Sequence, residues 1–124
     1  MHHKPNPPEL VLLKALWKHG AMPVRPLHDI CEKSLEWSFS STRKTMQRMT
    51  EKGFVTSEKP EAKGAILYTA KVSKTQTLAY MAQDFMHRVL EMEGPLPAAT
   101  FTDSKILTEA EIDELTSMLE DKPS

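Results

Sequence analysis

The sequence predicts a mostly α-helical protein: three short helices and a β-hairpin, followed by a C-terminal helical region. Three observations predict it. Apolar residues recur at helical spacing in three segments before residue 53, two strand-like runs flank a turn-forming stretch between residues 54 and 70, and two capping-box patterns open amphipathic segments after residue 72.

In the first segment, Leu10, Leu13, Leu16 and Trp17 share one helical face. Pro7 and Pro8 suit the first turn, where a missing N–H has no intrahelical partner, and Gly20 suits the stop. A second helix is expected from about Val24 to Ser34, with Pro26 tolerated near its start and Leu27, Ile30 and Cys31 facing inward. Cys31 then reads as a small buried hydrophobe rather than a reactive thiol. Glu36 to Ser40 is a connector or one short strand. A third helix runs from about Ser40 to Lys52, with Gly53 placed to end it. Thr42, Met46, Met49 and Gly53 form one stripe of that helix, with Thr45 at its edge; Ser40, Arg43, Lys44 and Gln47 lie opposite, with Arg48 on the flank.

Phe54 to Glu58 and Ala65 to Ala70 read as strands, and Lys59 to Gly64 has turn composition. Three helices followed by a hairpin is the winged helix-turn-helix order. Residues 1–72 therefore read as a winged-helix DNA-binding domain, and 73–124 as a helical dimerisation region. Ser73 and Gln76 form a capping-box pattern opening a long helix that Gly94 and Pro95 end. Its stripe is Leu78, Met81, Ala82, Phe85, Val89 and Met92. Residues 95–106 form a Pro/Ala/Thr connector. Thr108 and Glu111 make a second capping box, ahead of Ile112, Leu115, Met118 and Leu119. A stripe this long wants an equivalent stripe to cover it, and a twofold homodimer is the commonest solution.

The net charge of −1 conceals two unlike halves. Residues 1–72 carry 12 Lys+Arg against 7 Asp+Glu, a net of +5; residues 73–124 carry 4 against 10, a net of −6. A basic half suits a polyanion and an acidic arm stays clear of one. No apolar run approaches a membrane span, and MHHKPNPPEL lacks the apolar core of a secretory signal, so a cytoplasmic protein is expected. His2 and His3 read as a frayed terminus. A single cysteine excludes an internal disulfide and a thiolate cluster within one chain. His19, His28 and His87 lack metal-ligand spacing, and no Gly-rich phosphate loop or nucleophile motif occurs, so no catalytic residue, metal or cofactor is expected.

The third helix carries the chemistry. An α-helix fits the B-DNA major groove; Arg43 can donate twice to a guanine edge and Gln47 can pair with adenine. Ser40 and Ser41 lie at its start, Ser41 and Thr45 can reach phosphate or the base periphery, and Lys44 and Arg48 bring charge to phosphates. Lys59 and Lys63 sit at the hairpin turn, where a wing meets backbone or minor groove. Two other readings compete: a winged helix that binds a protein through its basic face, and a regulator sensing a small molecule in a Met-lined pocket between domain and arm.

These residues have a family resemblance. Glu9-x-x-x-Leu13-x-x-Leu16-Trp17 with Gly20, and Trp37-Ser-x-x-Ser-x-Arg43-x-x-Met46-x-Arg48-Met49-x-x-Lys52-Gly53-Phe54, resemble the BlaI/MecI/CopY penicillinase-repressor family. So do Gly64-Ala-x-Leu67-Tyr68 and Leu107-Thr-x-x-Glu111-Ile-x-Glu-Leu115-x-x-x-Leu119. The resemblance spans nearly the whole chain. It implies a homodimeric repressor on a pseudo-palindromic double-stranded DNA operator, with recognition roles for Ser41, Arg43, Lys44 and Arg48. It also implies an upstream sensor protein as partner; β-lactam-responsive members are cleaved at an Asn-Phe bond in the connector, and the aligned pair here, Thr100–Phe101, departs from that pattern and argues against cleavage control. Lys44 replaces a common Thr, which points to a different operator sequence. The chain lacks the C-terminal Cys pairs of copper-responsive members.

Overall fold

A computed structural model describes residues 4–59, 64–93 and 103–120. The element order is α1 (Pro7–His19), α2 (Val24–Leu35), α3 (Phe39–Lys52), β1 (Val55–Glu58), β2 (Leu67–Ala70), α4 (Lys74–Arg88) and α5 (Glu109–Glu120). This is the winged helix-turn-helix that the sequence predicts, with a helical C-terminal region. Two compact units form, Met1–Ser73 and Lys74–Ser124.

Helix α1 begins with a capping box: Asn6 Oδ1 accepts from the Glu9 amide and Glu9 Oε1 accepts from the Asn6 amide, both at 2.9 Å. Gly20 ends the helix at φ 88°, a conformation that glycine adopts without steric cost. Leu12, Leu13, Ala15 and Leu16 are buried, while the expected Leu10 is only half-buried. The buried arc is wider than one stripe because α1 packs on both α2 and β2. The Trp17 indole donates to the Val72 carbonyl at 3.1 Å.

Helix α2 departs from expectation at one position. Leu27 and Cys31 are buried, but Ile30 is 47% exposed and His28 takes the inward place. Residues 27, 28 and 31 share a face with a 100° step, and a hydroxyl on α3 satisfies the imidazole there. Cys31 Sγ points at the Val11 carbonyl, and burial pushes the thiol pKa up, the environment of an inert cysteine. Glu36 ends α2 in the left-handed region at φ 52°, so Glu36–Ser38 is a tight connector, not a strand.

Strands β1 and β2 pair antiparallel with Val55 opposite Ala70 and Glu58 opposite Leu67. Met22 adds a bridge to Tyr68 through two 3.0 Å backbone bonds, tying the α1–α2 connection to the hairpin. The core gathers Leu12, Leu13, Leu27, Met46, Met49 and Val55, all essentially inaccessible, with Phe54 and Tyr68 beside them.

In the second unit, Ala79, Leu115 and Leu119 pack together, with Leu78, Leu107 and Met118 around them. The predicted Thr108–Glu111 capping box is present: the Thr108 amide donates to Glu111 Oε1 at 2.9 Å, and Thr108 Oγ1 accepts from the Glu111 amide at 3.1 Å. Lys74 Nζ donates to the same carboxylate at 3.0 Å and joins the starts of α4 and α5. Helix α4 ends at Arg88, short of the expected limit at Gly94. The Leu90 amide turns back to Phe85, the Met92 amide turns back to Met86, and Glu91 is left-handed at φ 53°. Val89 and Met92 thus lie beyond the regular helix. No helix of the described residues is long and apolar enough to cross a membrane.

The Thr108 amide first, then Lys74, hold the Glu111 pKa below the ordinary carboxylate range, against the opposing effect of burial. A depressed folded pKa gives stability that is complete above the unfolded value and disappears as pH falls through the folded one. Glu111→Gln should therefore melt below wild type at neutral pH. The gap in thermal midpoint should close on acidification through the Glu111 titration; a constant gap at all pH values contradicts this.

Candidate nucleic-acid interface

Helix α3 has two unlike faces. Ser38 caps it by accepting from the Ser41 amide at 3.2 Å, and Gly53 ends it at φ 88°. Thr42, Met46 and Met49 are wholly buried, and Thr45 is 8% exposed. The remaining positions must face outward, and Ser40, Arg43, Lys44, Gln47 and Arg48 are all exposed. Thr45 corrects the sequence reading: it belongs to the buried face and cannot reach a duplex. Ser41 is half-buried, and its hydroxyl lies 3.2 Å from that of the cap residue Ser38.

A polar joint holds the start of α3 against α2. Trp37 Nε1 donates to Thr42 Oγ1 at 2.8 Å, and His28 Nδ1 lies 2.8 Å from the same oxygen. One hydroxyl can accept from the indole and donate to an unprotonated ring nitrogen, so all three groups are satisfied. The His28 ring meets Phe39 edge-on at 5.6 Å, and the Arg25 guanidinium lies 3.8 Å above that Phe39 ring. At the other end, Lys52 Nζ donates to Glu9 Oε2 at 2.7 Å. Glu9 is only 2% exposed, and its carboxylate also accepts the Asn6 amide, which offsets the desolvation of a buried charge. Lys52 is consequently committed to the fold.

The electrostatics match this geometry. Among the described residues, Arg43, Lys44, Gln47 and Arg48 make no side-chain hydrogen bond or ion pair. Neither α2 nor α3 has an acidic residue in its first turn, whereas α1 and α5 do. Burial pushes the Tyr68 phenol pKa up, and the positive charge of Arg43 opposes that rise. Lys59 follows β1 and is exposed; Lys63 falls outside the described residues, as do Thr100 and Phe101.

Of the residues assigned to the arm, Leu115 and Leu119 are buried within their own unit. Leu78, Met81, Ile112 and Met118 are half-buried. Phe85, Val89 and Met92 are exposed, together with Leu90, which the sequence reading did not single out. The sequence pattern also leaves out Arg25 and the Glu9–Lys52 pair. Asn6-x-x-Glu9 is a legible capping pattern that could have placed Glu9 at the helix start. No local signal brings Arg25 to Phe39, which is 14 residues away in sequence.

The penicillinase-repressor family profile matches residues 7–121. The chain belongs to that family. As a penicillinase-repressor family member it is a DNA-binding transcriptional regulator of the repressor class. An uncharacterized 16.5 kDa protein from the ptsI 3′ region of Latilactobacillus sakei is 24% identical over 111 residues, covering 90% of this chain and 75% of that protein. The match of this repressor-family profile runs through α1, α3, the hairpin and α5, the segments whose motifs resembled it.

Removing the Thr42 hydroxyl tests the joint. Thr42→Val should cost about 1–3 kcal/mol, because Trp37 Nε1 and His28 Nδ1 both lose their partner in a buried site. Thr42→Ser should recover most of that in a denaturant titration.

Proposed function

We propose that the chain represses transcription as a homodimer bound to a pseudo-palindromic operator, each α3 lying in a major groove. The observation that carries this reading is the exposed, unengaged row Arg43, Lys44, Gln47 and Arg48 on a helix held at both ends. Arg43 reads guanine and Gln47 reads adenine; Lys44 and Arg48 neutralise phosphates; Ser40 and Ser41 meet the backbone near the helix start. Lys59 and Lys63 bring the hairpin to the neighbouring backbone. Two α3 helices stand about one DNA turn apart, ~34 Å, as twofold symmetry and successive grooves require.

Dimerisation uses the apolar surface left exposed at the end of α4, where Phe85, Val89, Leu90 and Met92 are each about half or more exposed. Leu115 and Leu119 are instead buried in the unit's own core with Ala79.

Binding of a duplex from immediately upstream of the protein's own gene, measured by fluorescence anisotropy, tests the reading. Affinity should fall steeply with salt and two chains should bind each duplex. Arg43→Ala should lose about 1–3 kcal/mol on that duplex and discriminate less between base substitutions at one position of each half-site. Salt-insensitive binding, or unchanged base preference in Arg43→Ala, contradicts it. The first result would favour a winged helix that binds protein.

A further inference from the structure

We infer that Arg25 is a phosphate-binding residue, held ready by Phe39 at the start of α3. The inference rests on the DNA-binding reading of α3 and extends the contact surface onto α2. Arg25 is exposed in the first turn of α2. Its guanidinium stacks 3.8 Å above Phe39, the first residue of α3, and Phe39 is braced edge-on by buried His28. The ring contact holds the guanidinium carbon in place and leaves its N–H groups without an acceptor among the described residues, so they can donate to a phosphate.

The ion pairs of the described residues sharpen the point. Lys52 takes Glu9, Lys74 takes Glu111, and Arg88 takes Asp84 four residues before it. Arg25 has Asp29 one helical turn away and makes no ion pair with it, nor with any other described residue. The outcome is an unneutralised cation, held over Phe39 beside the first turn of the DNA-reading helix, with no ion-paired carboxylate to displace when a phosphate arrives.

Anisotropy titrations of Arg25→Ala, Phe39→Leu and the double variant, over a range of salt, test the inference. The probes are the upstream duplex and a random-sequence duplex of equal length. Arg25→Ala should keep the wild-type thermal midpoint and bind both duplexes more weakly by one common factor, about 3–10-fold. Its log–log salt slope should be flatter by about one per bound protomer. Phe39→Leu should move both quantities the same way and less far, and the double variant should bind no more weakly than Arg25→Ala, since Phe39 acts through Arg25. Arg25→Ala isotherms that superpose on wild type at every salt overturn the inference and leave the α3 reading intact. Weakening confined to the upstream duplex also overturns it, because Arg25 would then read bases. If wild type binds neither duplex, the reading of α3 falls first.

Discussion

Burying Thr42, Met46 and Met49 on one side of α3 constrains everything else in the first unit. Each methionine removed from water contributes roughly 1.5–3 kcal/mol, whereas the modest helix propensity of the threonines costs only tenths. Burial therefore decides which way the helix turns, and a 100° step per residue leaves Ser40, Arg43, Lys44, Gln47 and Arg48 no alternative to the surface. The cationic row is outward because the apolar row is inward. The Thr42 joint and the Lys52–Glu9 pair then fix the azimuth and the two ends, so the row is presented by a rigid element rather than by a loop.

Much of this was legible in residues 9–70 because apolar periodicity and punctuation agree there. Gly20 and Gly53 stop helices where predicted, and the strands straddle the expected turn. What the pattern does not contain is tertiary. His28 displaces Ile30 from the core because Thr42 comes within hydrogen-bond distance, and no pattern local to α2 contains that fact. Met22 joins the sheet through paired backbone hydrogen bonds with Tyr68, 46 residues away in sequence. Thr45 reads as an edge position by angle alone, yet packing closes over it. Helix α4 stops early because Glu91 adopts a left-handed backbone three residues before the glycine that punctuation pointed to.

The C-terminal unit divides its apolar residues between two uses. Leu115 and Leu119 build a small core with Ala79, while Phe85, Val89, Leu90 and Met92 stay at the surface. Helical spacing alone cannot reveal that division, since Phe85, Val89 and Met92 recur on their segment as regularly as Leu115 and Leu119 do on theirs. The unit's net negative charge distinguishes it from the basic first unit.

The most direct test of the central claim is an amide NMR titration of the protein with its upstream duplex. The account predicts that the largest shift changes fall on Phe39 to Arg48, with the Arg43 side-chain signal among them, and that Met46 and Met49 methyls keep their buried environment. Changes concentrated in α4 and α5, with α3 amides unmoved at saturation, would contradict it.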